Sequence, residues 1–183
     1  MEPYEYDLLR NGRLFRIMEL FPGLQNSRLK CSLHLASLDI PLCSHTFEAV
    51  SYTWGTDERV RLVICDEQQI KVTANCEAVL RQLRLSDRAR FLWIDTICID
   101  QSSISERNAQ VKLMADVYSK ASTVICWLGE SSVESDCGFD VLDYTLSTKS
   151  QYTSRFLVEE SRLRKCVVPI TSRWLPQKMC SRY

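Results

Sequence analysis

The chain is short of the residues that many enzyme motifs require, with 5 glycines and 2 histidines, His34 and His45, among 183 residues. So little glycine leaves few loops able to bring backbone amides around a phosphate. No Gly-x-x-x-x-Gly-Lys-Ser/Thr, Gly-x-Gly-x-x-Gly or Gly-x-Ser-x-Gly spacing occurs. Nucleotide-loop enzymes and α/β-hydrolases are therefore excluded. The 9 cysteines include no Cys-x-x-Cys pair, and neither histidine stands at zinc-motif distance from a second soft ligand on a short loop, so no metal site is expected. An excess of one charge is missing too: 23 Lys plus Arg balance 23 Asp plus Glu, which argues against a nucleic-acid partner. Apolar runs such as Val124 to Leu128 fall far short of the roughly 20 residues of a membrane-spanning helix. Met1 to Arg10 carries acids where a secretory leader has a basic region, and no apolar stretch follows it. A soluble cytoplasmic protein with reduced thiols, no membrane partner and no required cofactor is expected.

What is present is an ordinary globular composition, 45% hydrophobic and 25% charged. Arg13 to Leu20, closed by Pro22-Gly23, reads as a strand and turn. Leu29 to Leu38 alternates, with Leu29, Cys31, Leu33 and Leu35 assigned to the buried face. Phe47 to Trp54 is aromatic and β-branched before Gly55 stops it, giving a third strand. Val60 to Cys65 and Gln69 to Val72 form a hairpin across a loop of Asp66, Glu67 and Gln68. From Thr73 the period becomes helical, with Cys76, Val79, Leu80 and Leu83 on one face.

Phe91 to Asp95 is an almost continuous apolar run, the pattern of a strand covered on both faces. Ser103 and Glu106 have capping-box spacing, in which the hydroxyl accepts from the Glu106 amide and the carboxylate reaches back to the Ser103 amide. A helix therefore starts near residue 104, with Gln110, Met114, Val117 and Ala121 as its inner stripe. Ser122 to Gly129 reads as another central strand. Strand, long helix and strand in this order are what a right-handed crossover needs. The fold class is thus α/β, a mixed, largely parallel sheet with flanking helices and an N-terminal antiparallel β portion. Ligands of such sheets bind beyond the carboxyl ends of strands, here at Asp95 to Ser102. Beyond residue 130 the neutral total separates into an acidic stretch, Glu130 to Asp143, and a basic tail, Arg155 to Arg182.

The densest polar cluster is Asp95, Asp100, Gln101, Ser103, Glu106, Arg107 and Asn108. Carboxylates at a strand end and in a first helical turn suit acid–base work, sugar-hydroxyl binding or cation stabilisation. They suit structure equally: Glu106 as a cap, Asp95 bonded to loop amides, Arg107 paired with an acid. Cys98 with His34 or His45 is the available version of a cysteine–histidine nucleophile, and the competing reading is a small core thiol.

Four ordered blocks stand out: Phe47-Glu-Ala-Val-Ser-Tyr-Thr-Trp-Gly55, Leu92-Trp-Ile-Asp-Thr-Ile-Cys-Ile-Asp-Gln101, Glu106-Arg-Asn-Ala-Gln-Val111 with Met114, Tyr118 and Ala121, and Val124-Ile-Cys-Trp-Leu-Gly129. Together they resemble the fungal heterokaryon-incompatibility (HET) domain family. The resemblance implies a HET-like domain over residues 1–130 and an incomplete or divergent continuation over 131–183, where the family's Trp-rich segment is represented by Ser172-Arg-Trp-Leu175. It implies a signalling and effector role in non-self recognition and programmed cell death, exerted through homotypic or heterotypic association with protein partners. The family is distantly similar to TIR domains, which implies a flavodoxin-like sheet. That likeness also raises an alternative, cleavage of NAD as a substrate, with Glu106 or Asp95 stabilising the ribosyl cation. Ser51, Tyr52, Trp54, Gly55, Trp93, Asp95, Cys98, Asp100, Gln101, Glu106, Arg107 and Gln110 then line the expected cleft. An inactive, truncated paralogue is the remaining alternative.

Overall fold

The computed structural model describes residues 1–9, 12–40, 45–56 and 58–127 together with the backbone of a strand at 165–168. The acidic stretch, the basic tail and most of the continuation over 131–183 lie outside the described residues. The chain runs β1 (Leu14–Leu20), β2 (Lys30–Ser37), β3 (Glu48–Tyr52), β4 (Arg61–Cys65), β5 (Gln68–Val72), α1 (Ala74–Leu83), β6 (Arg90–Trp93), α2 (Asp95–Cys98), α3 (Ile104–Lys120), β7 (Thr123–Trp127) and β8 (Lys165–Val168). All strands join one sheet in the order β5-β4-β2-β1-β6-β3-β7-β8.

The sheet is mixed, as expected, but not largely parallel, because four of the seven neighbouring pairs among the described strands are antiparallel. β1 is antiparallel to both β2 and β6. β6, β3 and β7 form a parallel block, and β2 is parallel to β4. The β4–β5 and β7–β8 pairs are antiparallel. Parallel neighbours need a crossover rather than a hairpin. α2 and α3 supply it, carrying the chain from β6 past β3 to β7.

β1 lies fourth in the sheet and is covered on both faces, so Phe15, Ile17, Met18 and Leu20 are all buried together with Arg16. The two longer helices, α1 and α3, are each started by a hydroxyl. Thr73 Oγ1 accepts from Cys76 N at 3.2 Å, and Ser103 Oγ accepts from Glu106 N at 3.2 Å. Gln110 Nε2 donates to Leu14 O at 2.8 Å, which fastens the middle of α3 to β1. Trp93 lies edge-on against Tyr118, with ring centroids 5.3 Å apart, and the Tyr118 hydroxyl donates to Val50 O.

Three local expectations are corrected. The β6 strand ends at Trp93, and Asp95 opens a single helical turn instead of finishing a strand. The Asp95 carboxylate accepts from Thr96 N at 2.7 Å, and its carbonyl accepts from Ile99 N at 3.1 Å, which turns the chain at once. In β2 the burial alternation breaks: Leu35 is exposed, whereas Ala36 is buried opposite Phe15, whose ring lies against Phe47. The hairpin turn is tighter than three residues. Cys65 pairs with Gln68 across Asp66 and Glu67, at φ 47° and 64°, the backbone of a two-residue turn of the hand that hairpins favour.

Candidate functional site

Because β3 and β6 are parallel neighbours, with Glu48 opposite Leu92 and Ala49 opposite Trp93, the segments that follow both strands emerge at one end of the sheet. The two densest sequence blocks therefore meet there. Trp54 Nε1 donates toward both oxygens of Asp95, at 3.3 and 3.2 Å. The Tyr52 and Thr96 hydroxyls are hydrogen-bonded to each other, and Thr96 also donates to Asp95 from its backbone. Gln101 Nε2 closes the α2 turn by donating to Asp95 O at 2.9 Å. From α1, Asn75 Nδ2 donates to Thr53 O at 2.9 Å.

Gly55 is required by this crowding. Its φ is +77°, and a Cβ there would lie 2.8 Å from Asn75 Nδ2. The Arg59 guanidinium lies 5.7 Å from the Trp54 ring centroid and covers the outer side of the indole. Burial, and then the neighbouring Cys76 and Asp95, hold the Tyr52 phenol well above its ordinary pKa. Tyr52 is thus a neutral hydrogen-bonding strut.

Glu106 belongs to a second network. Its two oxygens accept from Arg16 Nη1 at 2.6 Å and Nη2 at 3.1 Å, and the two side chains are only 5% and 9% exposed. One oxygen also accepts from Asp100 N at 2.8 Å. The carboxylate therefore does not close the capping box on the Ser103 amide, because a buried guanidinium claims it. Arg16 spends its remaining donors on Cys98 O at 3.1 Å and Asp7 O at 2.5 Å, with its guanidinium 4.9 Å from the Tyr6 ring centroid. The Tyr6 hydroxyl donates to Ile97 O at 3.0 Å. Glu106 is here the anion that lets a cation reside in the core.

The remaining expected residues take structural positions. Cys98 is buried, its sulfur accepts from Ile94 N at 3.5 Å, and burial pushes the thiol up to about 12. A thiol so protonated is a poor nucleophile. The structure does not build a cysteine–histidine pair on it: His34 Nε2 is 2.8 Å from Glu19 Oε2, and His45 stacks on Phe91 with centroids 4.0 Å apart. Asp100 Oδ1 accepts from Ser102 N and Oγ in a local turn. Among the described residues Arg107 pairs with no acid, and its Nε is buried without a hydrogen-bond partner there. Ser51 sits opposite Cys126 within the sheet, Trp93 is a core residue and Gln110 is the α3 fastener. Among the described residues no three His, Cys, Asp or Glu side chains cluster as metal ligands.

Arg16, Tyr6, Thr96, Asn75 and Arg59 are residues of these networks that spacing did not single out. Arg16 alone carried a readable signal, a charge in the middle of the apolar run Leu14 to Leu20, where burial demands a partner.

The profile of a family described as Heterokaryon incompatibility protein (HET) matches residues 47–182. Both converging blocks fall inside that range. Among curated proteins, Heterokaryon incompatibility protein 6, OR allele, of Neurospora crassa is 32% identical over 141 residues, covering 69% of this chain and 20% of that protein. The chain thus spans about a fifth of the length of the curated relative it matches. No solved structure matches the chain.

Proposed function

The chain belongs to the heterokaryon incompatibility (HET) family, and on that premise we propose that it acts in fungal non-self recognition as a signalling module that promotes programmed cell death. It does so from the cytoplasm, by homotypic or heterotypic association with protein partners. The observation that carries this reading is the convergence of the two densest blocks on one cluster, in which Trp54, Tyr52, Asp95, Thr96 and Gln101 bond to one another. Polar groups spent on each other make a rigid platform for a partner, because few of them are left to turn over a substrate. The half-exposed Trp54, faced by Arg59, offers the kind of aromatic and arginine pairing that dominates protein contacts.

Inducible expression of the chain in a filamentous fungus tests the proposal. Growth arrest with uptake of a vital dye is expected, together with its loss in a Trp54→Ala variant that accumulates to the same level. Unchanged growth with abundant, cooperatively folded protein would refute it and favour an inactive paralogue. The alternative of NAD cleavage has less support, since Glu106 is committed to Arg16. Release of nicotinamide by the purified chain, abolished by Asp95→Asn, would put the enzymatic reading in its place.

A further inference from the structure

β4 and β5 form a hairpin whose attachment to the rest of the sheet is slender. β1 and β2 pair over seven positions, whereas β4 meets β2 at two, Lys30 opposite Ile64 and Cys31 opposite Cys65. Ile64 N donates to Leu29 O at 3.0 Å and Asp66 N to Cys31 O at 3.2 Å. The second of these two register pairs consists of two cysteines. Both are buried, both are free thiols, and they stand opposite each other in the β2–β4 register.

Register partners on adjacent strands point to the same face, and their strands lie about 4.8 Å apart, which is within the roughly 4.4–6.8 Å Cα separation that a disulfide spans. We propose that Cys31 and Cys65 form a dithiol that closes to an intramolecular disulfide, a redox staple fixing the β4–β5 hairpin to β2. The neighbouring Cys65, followed by burial, raises the Cys31 thiol well above its usual range. Cys65 is the thiol with an exit for its proton. Its sulfur donates to Asp66 Oδ2 at 3.6 Å, and Asp66 lies exposed at the hairpin turn.

With hydrogen peroxide as oxidant the atoms balance. The Cys65 sulfur, losing its proton to the carboxylate, attacks the O–O bond to give a sulfenic acid and water. Cys31 then displaces the hydroxyl as a second water, so two thiols and one peroxide yield one disulfide and two waters. The ring so formed contains about 35 residues and encloses β3 and Trp54–Gly55, which places the block at the candidate site under the same constraint.

The test uses the full reduced chain, treated with one equivalent of hydrogen peroxide, alkylated with iodoacetamide in denaturant and digested with trypsin. A cross-link between the peptide that starts at Cys31 and the peptide of residues 62–71 is expected, with fragment ions assigning it to Cys31 rather than Cys43. Intact mass falls by about 2 Da, and the melting midpoint of the oxidised chain rises by roughly 10 °C. No variant has to fold for this measurement. Cys31→Ala should abolish the cross-link in the chain that retains Cys65. Alkylation of both Cys31 and Cys65 while other thiols oxidise, a bond from Cys65 to another cysteine, or an unchanged melting midpoint after cross-linking would each overturn the proposal.

Discussion

Glu106→Gln is the substitution that separates a structural carboxylate from a catalytic one. The amide keeps the length of the side chain, and its remaining oxygen can still accept from Asp100 N. What disappears is the charge opposite Arg16, whose side chain is 5% exposed and held in place at both η nitrogens. One NH₂ face of the glutamine would also point at a guanidinium that can only donate. Breaking a buried pair from one side costs about 3–5 kcal/mol, because the surviving charge has no solvent to return to. A domain of this size has about 5–15 kcal/mol in hand. Urea denaturation followed by tryptophan fluorescence should therefore show the midpoint collapsing by about a fifth or more, with an unchanged slope. Adding Arg16→Met to Glu106→Gln should recover part of the loss, since it removes the orphan cation while leaving Cys98 O and Asp7 O without their donor. A loss below about 1 kcal/mol would refute the reasoning. The ion pair would then be worth no more than an exposed one.

Gly55→Ala should cost about 1–2 kcal/mol, because a side chain at φ +77° is strained and its Cβ would displace the Asn75 amide from Thr53 O; thermal melting measures it. Ser103→Ala removes the hydroxyl that accepts from Glu106 N and should cost about 1 kcal/mol in urea; no change would mean that Arg16 and Glu106 alone fix the start of α3. Burial lifts the Cys76 and Cys98 thiols to about 12 from an ordinary 9.0. Above pH 9 the unfolded chain therefore sheds protons that the folded chain retains, and stability falls as pH rises toward 12. The slope is about 1.4 kcal/mol per pH unit for each thiol, so urea midpoints at pH 8 and pH 10 should differ, and Cys98→Ala should reduce that difference.

Elements were readable in this sequence where a local signal and a tertiary demand agreed. β1, β3, α1, α3 and β7 each have an apolar period ended by a turn residue or opened by a hydroxyl cap, and the observed spans differ from the expected ones by a residue or two. Disagreement arose where the demand came from elsewhere in the sheet. The alternation of β2 assigns Leu35 inward, but Leu35 is exposed and Ala36, the register partner of Phe15, is buried instead. The run Phe91 to Asp95 looks like one strand because its apolar residues continue through Ile94, which is as buried as Leu92 and Trp93. What ends it is a hydrogen bond from Thr96 N to the Asp95 carboxylate, a pairing that hydrophobic period does not register.

The polar cluster was legible as a place, and only partly as a set of roles. Asp95, Asp100, Gln101 and Glu106 stand within twelve residues of one another, so any reading of spacing puts them at one site. Their partners decide what they do, and the deciding partners are remote: Trp54 lies 41 residues before Asp95, and Arg16 lies 90 residues before Glu106. Sequence proximity therefore gathered two carboxylates that the fold then assigns to different tasks. Asp95 ties the exit of β3 to the exit of β6, and Glu106 neutralises a cation beneath the start of α3. The competing readings, acid–base chemistry or structure, differ by whether a buried donor reaches each carboxylate first. Trp54 reaches Asp95, and Arg16 reaches Glu106. Both carboxylates are thereby committed to donors within the fold, Asp95 to an indole and Glu106 to a guanidinium.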